Sequence, residues 1–183
     1  MDPGSQPDEL VQLVDEKGWR VHAIVNTHGH FDHIGAVSAL KDRHQAPFYL
    51  HGADEMLLKR ANLYRMVFEA RDTVRVPAMT HDISQLPETF SVGPFSIRWI
   101  PTPGHTQGSV CLMVENFLFS GDTLMHTAVG RTDLPGGNRE LLMESVRKLS
   151  SLPGDLIVCG GHGPRTTIES EFAPGSRIWS LIQ

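Results

Sequence analysis

Only two cysteines occur in the 183 residues, so no disulfide framework can be what holds this chain together. Cys111 and Cys159 both fall in apolar, strand-like runs, which predicts buried free thiols. No run of Lys or Arg is present, and the net charge is −5; both argue against nucleic acid as the main partner. No apolar run approaches the length needed to span a bilayer, and Met1-Asp2-Pro3-Gly4 has nothing of a signal peptide. The expectation is therefore a soluble, cytoplasmic protein with no membrane partner. Internal repeats and low-complexity tracts are absent as well. What remains is a chain long enough for one domain with its own core, residues 1–183.

Against that plain background one stretch stands out. Thr27-His28-Gly29-His30-Phe31-Asp32-His33-Ile34-Gly35 places three histidines and an aspartate within six residues. It directly follows the β-rich run Val21-His22-Ala23-Ile24-Val25-Asn26. A turn leaving a strand end can aim such side chains at one point, and imidazole with carboxylate suits zinc or iron rather than magnesium or calcium. Gly29 and Gly35 lower the steric cost of a tight loop.

Taken in order, Ser5 with Asp8 three residues on predicts a capped helix start, carried by Leu10, Leu13 and Val14 and stopped at Gly18. A strand is expected at 21–26, a helix at 35–44, a short strand at 47–51 and a helix at 53–70. From 71 to 94 prolines recur and periodicity is poor, which reads as a loop-rich lid. A strand is expected at 95–100. A second polar turn follows, Pro101-Thr102-Pro103-Gly104-His105-Thr106-Gln107-Gly108-Ser109. Residues 110–115 and 117–120 form a predicted hairpin around Asn116, running into Gly121-Asp122-Thr123. An amphipathic helix carries Leu142, Val146 and Leu149 on one face. A last strand, 155–159, leads into Gly160-Gly161-His162-Gly163. Four times a strand ends in a polar turn bearing a metal-ligand candidate.

The candidates are His28, His30, Asp32, His33, His105, Asp122 and His162, too many for one tetrahedral metal and suited to two sharing a carboxylate and a water. The motifs Thr27–His33, Pro103–Ser109, Gly121-Asp122-Thr123 and Gly161-His162-Gly163 resemble those of the metallo-β-lactamase superfamily. Gly130-Arg131-Thr132-Asp133-Leu134-Pro135-Gly136-Gly137 narrows the resemblance to the glyoxalase II-like (hydroxyacylglutathione hydrolase-like) single-domain branch. It implies an α/β (α+β) fold, the αββα sandwich of two mixed sheets with helices outside. It also implies that His28, His30 and His105 hold one metal, that Asp32, His33 and His162 hold a second, and that Asp122 bridges them. The implied cofactors are two divalent ions, zinc first, with iron or manganese as alternatives. The implied enzyme is a metal-dependent hydrolase whose metal-bound water, oriented by Asp32, attacks a thioester or activated ester such as a hydroxyacylglutathione. A thiolate leaves readily, its thiol having a pKa near ~8.5, whereas an amide would need a proton from an acid that the sequence does not obviously supply. Members of the superfamily that hold zinc through cysteine do so where this chain has Asp122, so antibiotic hydrolysis is not the favoured reading.

Two departures qualify the resemblance. Roughly twenty residues follow His162, too few for the glutathione-gripping helical domain of glyoxalase II, which leaves another acyl thioester, an ester or a lactone open. The chain also starts where the family usually has a few strands behind it. That reads as an N-terminally shortened fold from a late start or a truncation, with an exposed sheet edge and a homodimer as its consequences. The rival readings are a mononuclear iron persulfide dioxygenase using His28, His105 and Asp122, and a truncated metal-binding domain with little activity.

Outside the motifs, His22, His44, His51 and His81 read as surface or hydrogen-bonded histidines. His126, four residues after Asp122, is a candidate substrate contact. Arg131 fits a structural ion pair with Asp133 better than a substrate carboxylate. Tyr64 and Arg65, in the presumed lid region, are weaker substrate candidates. Thr27 and Ser120 suit a role behind the ligands or in capping backbone groups.

Overall fold

Two separate hydrophobic cores organise the computed structural model, which describes residues 1–67 and 73–183. They belong to two compact units, Met1–Leu86 and Pro87–Gln183.

In the first unit, helix α1 (Pro7–Glu16) is followed by β1 (Ile24–Val25), a one-turn helix α2 (Phe31–Ile34) and α3 (Val37–His44). Then come β2 (Phe48–Leu50), α4 (Glu55–Lys59), α5 (Ala61–Val67) and β3 (His81–Asp82). The three strands form one parallel sheet in the order β1-β2-β3. Phe48, Leu50, Ile34, Val37 and Leu58 form the middle of its core, each essentially inaccessible. Expectation and structure differ here in several places. The cap of α1 is Gln6, in the left-handed region at φ 54°, rather than Ser5, and no side chain caps the helix. Pro7 at the first turn, with its φ preset, and Asp8 and Glu9 beside the positive helix end do that work instead. The predicted helix over 53–70 is broken at Arg60 between α4 and α5, and its last residues lie outside the described ones. The sheet is wholly parallel, not mixed.

The second unit runs β4 (Thr89–Val92), β5 (Phe95–Pro101), β6 (Val110–Val114), β7 (Phe117–Gly121) and α6 (Arg139–Leu149). It continues through β8 (Ile157–Gly160), β9 (Thr166–Thr167), α7 (Ile168–Phe172) and α8 (Arg177–Ile182). Its six strands form one mixed sheet in chain order, antiparallel except for the parallel pair β7–β8. The hairpin turns at Glu115-Asn116, with Glu115 at φ 54°. Helix α6 starts at Asn138, whose side chain accepts the Leu141 N–H at 3.0 Å. Its apolar face, Leu142, Val146 and Leu149, is fully buried against Cys111, Leu118, Leu124 and Val158. The loop-rich reading of 71–94 missed β3 and β4, and the reading of the C-terminal stretch missed β9, α7 and α8. No helix among the described residues is long and apolar enough to cross a membrane.

Both cysteines are free, but only Cys111 is fully buried; Cys159 is half-buried, a correction to the expectation for it. Burial pushes the Cys111 thiol up to about 12, so it stays protonated and unreactive at neutral pH. Native protein should therefore leave Cys111 unlabelled by Ellman's reagent at pH 8 and expose it only on denaturation. Rapid stoichiometric labelling of Cys111 in the folded protein would contradict the burial.

Candidate metal centre

Each unit carries its own group of ligand-type side chains. In the first, Asn26 ends the strand run: its backbone N–H bonds Tyr49 O at 3.0 Å, and its Nδ2 donates to His33 O at 2.8 Å. That second bond closes the loop from Asn26 to His33, and the His33 N–H bonding His30 O at 3.0 Å starts α2. The turn thereby brings three buried imidazoles together. The His28 ring lies 4.9 Å from that of His30, edge-on at 89°, and 4.1 Å from that of His33. Asp32 is the exposed member, with Oδ2 3.9 Å from His33 Nε2.

Residues outside the motif fix which ring nitrogen is available. Asp2 Oδ2 accepts the Thr27 hydroxyl at 2.8 Å, and Thr27 Oγ1 lies 3.0 Å from His28 Nδ1. A hydroxyl that donates to a carboxylate has only lone pairs left for the ring, so His28 carries its proton on Nδ1 and offers Nε2 as a donor atom. Asp2 also takes the Thr27 N–H at 2.8 Å and lies 3.5 Å from His33 Nδ1. The buried Asp54 accepts the Gly29 N–H at 2.9 Å and holds the turn between His28 and His30. The segment behind Asp2 is laced to α2, with Gly35 N–H on Gly4 O and Ala36 N–H on Pro3 O, both 2.9 Å.

In the second unit the parallel pairing of β7 with β8 carries Asp122 and His162 to neighbouring strand ends, locked by Gly161 N–H on Gly121 O at 2.8 Å. Asp122 Oδ2 is 3.7 Å from His162 Nε2 and 3.5 Å from His105 Nε2. His105 sits in the turn after β5, buried, and its Nδ1 donates to Arg131 O at 2.8 Å. A carbonyl can only accept, so here too Nε2 is left as the donor atom. Thr102 Oγ1 and Thr123 Oγ1, 3.0 Å apart, tie the His105 turn to the Asp122 turn. His162 is the most exposed of the three, its side chain 56 % accessible.

The ligand candidates thus fall into two groups, His28, His30, Asp32 and His33 in one unit and His105, Asp122 and His162 in the other. Imidazole nitrogens with carboxylate oxygens are the donors that zinc and iron take, so the side chains fit such metals. Thr27 stands behind His28 as expected, and Ser120 caps backbone, donating to Leu124 O at 2.6 Å. Arg131 and Asp133 form a two-pronged ion pair, 2.7 Å at each contact; the guanidinium hydrogen bonds pull the Asp133 carboxyl down to about 2. Tyr64 lies half-buried on α5, and Arg65 stands 5.7 Å from the Phe31 ring. Tyr49 stacks on His81 at 4.5 Å, and His51 Nδ1 accepts the Ala53 N–H at 3.2 Å, so these two histidines have local partners.

Asp2 and Asp54, which support the ligand turn, were not legible as such. The signal for Asp2 was an Asp-Pro-Gly start; its partner Thr27 is 25 residues away. Replacing Asp2 with Ala should lower metal affinity by ~10–100-fold, the usual cost of losing a group that orients a ligand. Competition with a chelator measures this, and unchanged affinity would remove Asp2 from the relay.

Comparison with known proteins agrees with the geometry. Residues 1–162 match the family described as the metallo-beta-lactamase superfamily. A probable metallo-hydrolase of Bacillus subtilis, YqgX, is 38 % identical over 173 residues, covering 93 % of this chain and 82 % of that protein. The hydroxyacylglutathione hydrolase GloC of Haemophilus influenzae is 32 % identical, covering 93 % and 82 %. Among solved structures, BLEG-1 B3 metallo-beta-lactamase superposes with a TM-score of 0.88 at 37 % identity, covering 93 % of this chain and 83 % of that one. TTHA1623, solved in a di-iron-bound form, gives 0.85 at 35 % identity, covering 94 % and 85 %. With its family match across both units and its histidines and aspartates at strand ends, this mixed α/β chain belongs to the metallo-β-lactamase superfamily.

Proposed function

We propose that the chain is a dinuclear metal-dependent hydrolase acting on a thioester or activated ester, of which a hydroxyacylglutathione is one form. In this reading His28, His30 and His105 hold one metal, Asp32, His33 and His162 hold the other, and Asp122 serves both. When bound, two such ions supply Lewis acidity and a water acidic enough to react near neutral pH. The observation that carries the reading is Asp122, one carboxylate oxygen within 3.7 Å of the Nε2 atoms of two histidines on different turns. A carboxylate there has a second oxygen to share, which a thiolate would lack.

The protein's own part is to fix the donors before any metal arrives. Asp2 through Thr27 sets His28, the Arg131 carbonyl sets His105, and Asp54 sets the turn between His28 and His30. In this reading Asp32, the exposed carboxylate of the first group, would orient the metal-bound water. A thiolate leaving group needs no acid, which is why the reading favours thioesters over amides. The di-iron form of TTHA1623 keeps iron beside zinc as the metal, and the name of GloC supports the acyl-thioester class.

The test is elemental analysis of freshly purified protein paired with thioester hydrolysis on the same sample. About two metals per chain with thioester cleavage supports the proposal. About one iron, with oxygen consumed on a glutathione persulfide and no thioester cleavage, would replace it with dioxygenase chemistry. Turnover of a β-lactam instead of a thioester would move the chain towards the activity in the name of BLEG-1.

A further inference from the structure

The segment that leaves Asp122 comes back to it, because the Gly130 N–H bonds Asp122 O at 2.6 Å. At its tip Met125 and Ala128 exchange both backbone hydrogen bonds, 2.8 and 3.2 Å, reversing the chain over His126 and Thr127. Thr127 sits at φ 56°, a region that strains a β-branched residue. Such a turn needs an outside hold, and Glu171 of α7 supplies it. Only 2 % exposed, Glu171 accepts the Thr127 N–H at 2.8 Å and the Thr166 hydroxyl at 2.7 Å, and its Oε1 lies 3.1 Å from His126 Nδ1. A carboxylate can only accept, so Nδ1 carries a ring proton, and the tautomer with that proton alone has its lone pair on Nε2. The His126 side chain itself is 47 % exposed. A buried acid behind an accessible imidazole is the arrangement that readies the far nitrogen for a partner.

We infer that Glu171 is a positioning residue that fixes His126 in the Nδ1–H form, so that Nε2, on the Asp122–Gly130 loop, accepts a hydrogen bond from a hydroxyl or amide N–H of the substrate. The substrate half of this inference rests on the hydrolase reading above; the positioning half does not. It narrows the substrate class to acyl donors that carry such a group, 2-hydroxyacyl thioesters among them. The Arg131 guanidinium, already gripped by Asp133, is a poorer candidate for that contact.

Two measurements test it. Long-range nitrogen–proton correlation spectra of the metal-free protein at pH 7.5 should show His126 protonated on Nδ1, and Glu171→Leu, which leaves no side-chain acceptor facing the ring, should abolish that preference. An Nε2–H ring in the wild type, or no change in the variant, overturns the positioning role. On a 2-hydroxyacyl thioester, His126→Ala and Glu171→Leu should each lower kcat/KM about tenfold through KM, the worth of one hydrogen bond. The double variant should match His126→Ala alone, and His126→Gln, which keeps an acceptor, should recover part of the loss. Losses that add would mean Glu171 acts on the fold rather than through His126. If the wild type cleaves no thioester, the hydrolase reading and the substrate half fall together, while the spectra still decide the positioning of His126.

Discussion

Gly130→Ala should yield a folded protein that holds metal more weakly by up to ~100-fold, an effect of the size seen when ligand-orienting groups are lost. A Cβ at this position would press on the Asp122 carbonyl oxygen and stand 2.7 Å from His105 Nδ1 and 2.9 Å from His105 Cγ. None of those atoms can retreat freely. The carbonyl already accepts the Gly130 N–H, and the His105 ring is pinned by its bond to Arg131 O. The clash therefore falls on two ligand candidates at once, beyond the ~1–3 kcal/mol of stability that overpacking costs. Gly175→Ala is the control: at φ 85° with nothing near the added carbon, it introduces backbone strain of about 1–2 kcal/mol without touching a ligand. Chelator competition and thermal melts on both variants separate the effects. Equal metal affinity in the two would show that Gly130 is merely a turn glycine.

The way Gly130 works also shows what a sequence can and cannot reveal here. The loop 27–33 was legible because its chemistry is local, four donor residues in six positions. Helix α6 was legible because its apolar face repeats and Asn138 announces its start, and the hairpin at Asn116 because apolar runs flank it. By contrast β3 and β9 are two residues long. They exist by pairing with other strands, as His81 does with Tyr49, and two residues carry no period to read. Helix α4–α5 fooled the periodicity because both segments are helical and only the break at Arg60 was hidden. The supporting residues were the least visible. Asp2 acts 25 residues away on Thr27, Asp54 25 residues away on Gly29, and Glu171 44 residues away on Thr127. Nothing near an aspartate or glutamate in a sequence says which backbone N–H it will bind.

The second large effect is expected at Asp122. Asp122→Asn keeps the side chain's shape but replaces one carboxylate oxygen with an amide nitrogen, which has no lone pair to offer a metal, and removes the charge. In the proposed site this takes away the donor common to both metals, so the variant should retain about one metal or none, and kcat/KM should fall by ~10²–10³ or more, on the scale of removing one transition-state contact. The fold should survive, because the Asp122 carbonyl oxygen takes the Gly130 N–H whatever the side chain. The melting temperature of the metal-free variant should accordingly match that of the metal-free wild type. A corresponding His30→Ala variant would lose a donor to one metal alone and should retain the other. That contrast in stoichiometry, one metal kept after His30→Ala and the pair compromised after Asp122→Asn, is what distinguishes a shared carboxylate from seven independent ligands. An Asp122→Asn protein with its full metal content and activity within tenfold of the wild type would refute the bridging role.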